Sequence, residues 1–142
     1  MTLYRLSYIS HAAETRGTMR EYVSKQISEV SSKSNKAMGI SMVLVHVDDY
    51  FIQVLEGSRN KLSYLITKIM SDERHSHVEI VGAHPLTSRS FVGQYSKIFD
   101  INSQDNALFQ KYTMDEKFNP YELVPDAMDE MLDRIIKIGQ KA

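Results

Sequence analysis

The sequence predicts an α+β fold, a ferredoxin-like βαββαββ sheet with two helices on one face, followed by C-terminal helices. Three observations lead there. Apolar residues recur with period two and then period 3.6 in the order strand, helix, strand, strand, helix, strand, strand. The second and third strand runs are joined by Asp48 and Asp49 alone, a link short enough to close an antiparallel hairpin. A chain of 142 residues supplies one hydrophobic core and has no room for a second full domain of this size.

The first run, LYRLSYIS, alternates Tyr4, Leu6 and Tyr8 on one face with Leu3, Arg5, Ser7 and Ile9 on the other. Thr18 with Glu21 has the capping-box spacing. Met19, Tyr22, Val23, Ile27 and Val30 then recur at helical intervals until SSKSNKAMG ends the run at Gly39. GISMVLVHV and YFIQVLE form the expected hairpin, the second strand placing Phe51, Gln53 and Leu55 on one side and Ile52, Val54 and Glu56 on the other. After Gly57, Ser58 is suited to cap a helix whose apolar stripe is Leu62, Leu65, Ile66 and Ile69. Asp72 to His77 breaks that pattern, and HVEIVGAHPL and SFVGQYSKIF read as two further strands, the second starting near Phe91.

Residues 1–100 therefore form the predicted sheet domain, and residues 101–142 a helical extension. The extension contains a short helical piece around Leu108, Phe109 and Tyr112, a loop with Pro120 and Pro125, and a helix with Met128, Met131, Leu132, Ile135 and Ile136 on one stripe. Such a stripe either covers the sheet face that the first two helices leave open or mediates self-association and partner contacts.

Composition narrows the function. A net charge of -1 from mixed signs, without a basic block, argues against nucleic acid and anionic lipid as partners. The absence of Cys excludes disulfides, thiolate catalysis and cysteine metal sites, and MTLYRLSYIS has neither the apolar run nor the flanks of a signal peptide or membrane span. A cytoplasmic protein is the expectation. His75 and His77 form an H-x-H with no third ligand at matching spacing, so no metal site is expected. Neither a nucleophile beside a base, nor a phosphate-binding glycine loop, nor a carboxylate pair set for acid/base work is visible, and the chain is not expected to be an enzyme.

The residues that stand out are polar groups on apolar faces. Gln53 sits mid-strand between Phe51 and Leu55, where an amide with two donors and an acceptor needs partners that its neighbours do not supply. Tyr8 lies on the face expected to look at the helices, and taken alone would be structural. Asn35 ends the first helix, where a left-handed turn residue is ordinary, and Arg74 and His75 end the second, where cations complement the helix dipole. Taken together, they rim the groove between two helices over a sheet, a natural pocket for a flat ligand.

These segments resemble the BLUF family, blue-light sensors that use flavin. The similarity runs from about Leu3 to Phe99 and rests on RLSYIS, SSKSNKAMGIS, FIQVLEG with the helix after it, and DERHSHVEI. The resemblance implies non-covalently bound flavin, FAD with FMN left open, between the first two helices. Ile27 and Ile69 would lie against its faces, Asn35 would bond the C4 carbonyl and N3, and Arg74 the O2 side. His75 would border the ring, and Ser31 is a further pocket candidate. Gln53 would bridge the flavin N5/O4 edge to the Tyr8 hydroxyl. Light would draw an electron and a proton from Tyr8, leaving the Gln53 amide rotated or tautomerised. Two positions depart from the family pattern. The fifth-strand motif with Trp, one residue, then Met is here Gln94, Tyr95 and Ser96, and Met42 stands where G-I-T-G has its second Gly. The zero Trp count leaves eight Tyr as the aromatic electron donors. The resemblance also implies output through a homo-oligomer and an unidentified downstream protein. The alternative is an interaction module of the same fold without photochemistry.

Overall fold

The computed structural model describes residues 2–12, 32–73, 75–95, 97–114 and 117–141. The expected positions Ile27, Ser31, Arg74 and Ser96, and the capping box at Thr18, lie outside the described residues.

Strand β1 spans Leu3–Ala12 and helix α1 Ser32–Met38. Gly39 follows with φ +68, the left-handed geometry that stops a helix and that a residue without a Cβ adopts freely. Strands β2 (Ser41–Val47) and β3 (Tyr50–Ser58) then form the hairpin expected from the Asp48-Asp49 link, with Asp48 at φ 53 supplying the left-handed turn residue. Ser58 caps α2 (Arg59–Met70), its hydroxyl accepting from the Lys61 N–H. Strand β4 spans His75–Pro85 and β5 Lys97–Ile101.

The fifth strand differs from the expectation of a start near Phe91. Phe91 is buried, but the chain turns at Gly93 with φ +75, so the apolar residue anchors a loop and pairing begins only at Lys97. β4 begins two residues earlier than the pattern suggested, taking His75 into the strand opposite Ala12.

The five strands lie in the order β4-β1-β3-β2-β5, antiparallel except for the β2–β5 pair. The two sheet faces carry separate cores. On one, Leu6, Tyr8, Met42, Leu44, Phe51 and Leu55 pack with Leu62 and Ile66 of α2. On the other, Ile9, Val43, Val45, Val47, Ile52 and Val54 meet the C-terminal segment. That segment comprises a short helix α3 (Ala107–Gln110), a two-residue hairpin of β6 (Thr113–Met114) and β7 (Lys117–Phe118), and helix α4 (Pro125–Gln140). Met128, Met131, Leu132, Ile135 and Ile136 of α4 are all buried in this second core. Gly139 comes so close to β2 that a Cβ there would stand 2.3 Å from Val43 Cγ2. Among the described residues no helix is long and apolar enough to cross a membrane.

The edge of the second face is closed by charge. Glu56, fully buried, accepts from Arg5 Nε at 3.0 Å and Nη2 at 2.9 Å, and its other oxygen accepts from the Ser90 N–H at 2.7 Å. Arg89 donates to Ser41 Oγ and to the carbonyls of Glu56 and Gly39. Gln140 of α4 donates to the Ser90 carbonyl at 3.0 Å. The loop that leads to Gln94 and Tyr95 is thus fastened to β1, β3 and α4.

Candidate functional site

The β1–β3 register sets Tyr8 directly opposite Gln53, and the β2–β3 register sets Leu44 opposite Gln53 on its other side. All three side chains point to the α2 face because strand neighbours in register share a face. Tyr8 is 1% exposed and Gln53 5% exposed, so the two polar side chains singled out by the sequence are brought together in the core. Met42, two residues before Leu44, is the diagonal neighbour of Gln53 on the same face. Gln53 Nε2 donates to Met42 Sδ at 2.7 Å, which occupies one of its two amide protons.

Asn35, on α1, is 3% exposed and donates from Nδ2 to the Tyr95 carbonyl at 2.9 Å. Its own carbonyl accepts from the Ile40 N–H, as expected at a helix end, so the turn role and the buried-amide role coexist in this residue. The neighbouring Gln94 carbonyl accepts from the Met42 N–H at 2.8 Å, drawing the 94–95 segment against the start of β2. Among the described residues the buried Gln94 Oε1 has no hydrogen-bond partner.

His75 stands at the far end of the same face. Its Nδ1 lies 2.8 Å from Ser10 Oγ, its ring meets Tyr8 edge-on at 6.0 Å, and it packs at 4.8 Å on Phe51. His46, 3.4 Å from Asp100 through Nδ1, continues the row at 4.9 Å from Phe51. Ile69 is partly buried against the same core, with Leu62 and Ile66 of its helix buried in it. Three of the sequence candidates, Tyr8, Gln53 and His75, therefore share one continuous face with Ile69, while Asn35 joins it through the 94–95 segment.

The residues that sequence reasoning did not place are Ser10 and the Met42 sulfur as a partner. Ser10 continues the Tyr4, Leu6, Tyr8 alternation and could have been read from it. The Met42–Gln53 bond could not, because it depends on the diagonal offset that the two-residue turn imposes. Among the described residues no group of three or more His, Asp or Glu could hold a metal ion.

These atoms suit a flat, polar-edged ring. Asn35 and Gln53 present buried amides, Gln94 Oε1 lacks a donor among the described residues, and Leu62, Ile66 and Ile69 supply apolar surface.

The five-stranded sheet with helices packed on it is an α+β domain with a buried Tyr8–Gln53 register pair on one face. Residues 3–96 match the family model described as sensors of blue light using FAD, and the chain belongs to this BLUF family. The fold is similar to that of BlsA in its photo-activated state, at a TM-score of 0.80 and 25% identity over 94% of each chain. It is also similar to BlrB, a BLUF protein in its dark state, at a TM-score of 0.75 and 23% identity over 96% of each chain. Subunit alpha of a photoactivated adenylate cyclase from Euglena gracilis is 33% identical over 89 residues, which are 63% of this chain and 9% of that protein. The chain thus spans about a tenth of the length of the curated relatives it matches.

Proposed function

We propose that the protein is a blue-light photoreceptor that holds flavin non-covalently, FAD in the first instance, and signals through protein contacts. The observation that carries this reading is the buried cross-strand pair of Tyr8 and Gln53, inside the stretch matched by the sensor family.

Bound flavin would supply the absorption of blue light and the electron-accepting chemistry. Asn35 and Gln53 would hold its polar edge, Ile69 and Ile27 its faces, and Arg74, His75 and Ser31 its rim. The chain's own part is a hydrogen-bond exchange. Tyr8 would be the aromatic electron donor of the site, with its Oη proton as the one to be given and regained. Opposite it in the register stands Gln53, whose amide can swap donor for acceptor by turning, with no change of charge. Burial keeps water from competing for either partner, so the two amide orientations differ in which neighbours are satisfied. A net bond of about 1 kcal/mol is enough to bias a balanced contact and too little to unfold an element.

Output passes through contacts with a second copy or another protein, the exposed side of α4 and the outer edge of β4 being available for them. The reading is tested by purifying the protein with flavin and illuminating it with blue light. A yellow protein whose absorption shifts reversibly to the red supports it. A colourless protein that takes up neither FAD nor FMN overturns it.

A further inference from the structure

The Gln53 amide has a partner of its own within the protein, and that partner leads out of the site. Met42 Sδ accepts from Gln53 Nε2 at 2.7 Å. A thioether accepts a hydrogen bond weakly and donates none, so Met42 distinguishes the two ends of the amide: Nε2 facing it makes a bond, and Oε1 facing it makes none. Met42 is 1% exposed, so a turned amide that loses this bond has no water to replace it.

Met42 is also where three elements meet. Its N–H donates to the Gln94 carbonyl at 2.8 Å, and the adjoining Tyr95 carbonyl accepts from Asn35 at 2.9 Å. Its neighbour Val43 points to the opposite face of the sheet, fully buried against Gly139, where a single added carbon would stand at 2.3 Å. Gln140, next to Gly139, donates to the Ser90 carbonyl of the loop that carries Gln94. β2 at Met42 is thus bonded to the 94–95 segment and, one residue on, packed closely against the C-terminal end of α4.

We propose that Met42 is the residue that reads the orientation of the Gln53 amide, and that β2 carries the change through Val43 to the Gly139 end of α4. This rests on the photoreceptor reading for its trigger, but the dark pairing of Met42 with Gln53 stands independently of light. Met42 acts through Gln53 and is a positioning residue.

The test uses the full chain with flavin bound, labelled at the Met methyl carbons, beside Met42→Leu, which keeps the bulk and removes the acceptor. In the dark, the Gln53 side-chain amide proton signals should differ between the two proteins. Coincident signals overturn the proposal, whether or not the protein responds to light. Under blue light, the Met42 methyl signal of the wild type should move and should return with the same time constant as the absorption. In Met42→Leu the red shift should persist, with its dark decay altered about threefold or more. A red shift with an unmoved Met42 methyl, or an unaltered decay in Met42→Leu, overturns the proposal and leaves the photoreceptor reading intact. A flavin-loaded wild type with no red shift overturns the photoreceptor reading and the light-driven step with it, and the dark amide signals then decide the Met42–Gln53 pairing alone. Where Met42→Leu fails to fold, Met42→Ile with the same readouts replaces it.

Discussion

Gly139→Ala should destabilise the protein, although the same substitution in an exposed helix would do the opposite. Replacing Gly by Ala in a helix interior normally gains about 1 kcal/mol, and Gly139 lies within α4. Here the added Cβ would stand 2.3 Å from Val43 Cγ2, with Val43 Cβ and Cγ1 at 3.6 and 3.7 Å. Carbon atoms in good contact sit at about 3.5–4.0 Å, so α4 must retreat from β2 by roughly 1 Å. Val43 cannot yield in its place, because it is fully buried and its branched side chain is stiff at χ1. Overpacking of this kind costs about 1–3 kcal/mol. Against the propensity gain the net expectation is a loss of roughly 1–2 kcal/mol. Urea unfolding followed by circular dichroism measures it. Val43→Ala in the same chain should recover part of the loss, a coupling between the two sites of about 0.5 kcal/mol or more. A Gly139→Ala protein as stable as the wild type or more so would refute the close seating of α4 on β2, and with it the route from Met42 to the C-terminal helix.

Other perturbations test separate parts of the structure. Glu56→Gln leaves the Arg5 guanidinium facing a neutral amide in a buried setting and should cost about 2–3 kcal/mol in chemical unfolding, with a lowered Tm; an unchanged midpoint would show that the clamp on the Ser90 loop is dispensable. Asn35→Ala removes the donor from the Tyr95 carbonyl and should cost about 1–3 kcal/mol, while weakening flavin retention on gel filtration. Lys111 and the Tyr112 hydroxyl hold the Glu130 carboxyl down to about 2, and burial followed by the Glu130 hydrogen bond pushes the Tyr112 phenol up to about 12. Because the folded value for Glu130 is depressed below the unfolded 4.5, its contribution is full above that value and fades as pH falls towards about 2. The Tm gap between the wild type and Glu130→Gln should therefore close across that window, and a gap that widens with acid would contradict the assignment.

The part of this fold that local chemistry dictates was legible in the sequence. Gly39 stops α1 because its φ is positive, Asp48 and Asp49 close the hairpin because the strands on either side keep period two, and Ser58 caps α2. The start of the fifth strand was not legible, because Phe91 is apolar for the sake of the core beneath its loop and not for pairing. A period-two reading has no means of telling those apart. The site divides in the same way. Gln53 could be found because an amide between Phe51 and Leu55 is out of place, and Tyr8 because the alternation puts it on the helix-facing side. Their pairing is a matter of register between residues 45 apart in the sequence, which no local pattern encodes, and the family motifs supplied it. The Met42 sulfur was visible only as a departure from the family pattern, with its bond to Gln53 emerging from the diagonal geometry of the β2–β3 hairpin.

The central claim is that Tyr8 and Gln53 form the light-responsive pair of a flavin photoreceptor. Light-minus-dark absorption spectra of the flavin-loaded wild type, Tyr8→Phe and Gln53→Leu test it most directly. The expected result is a reversible red shift in the wild type, absent from both variants while each retains its flavin. A normal red shift in either variant would contradict the claim.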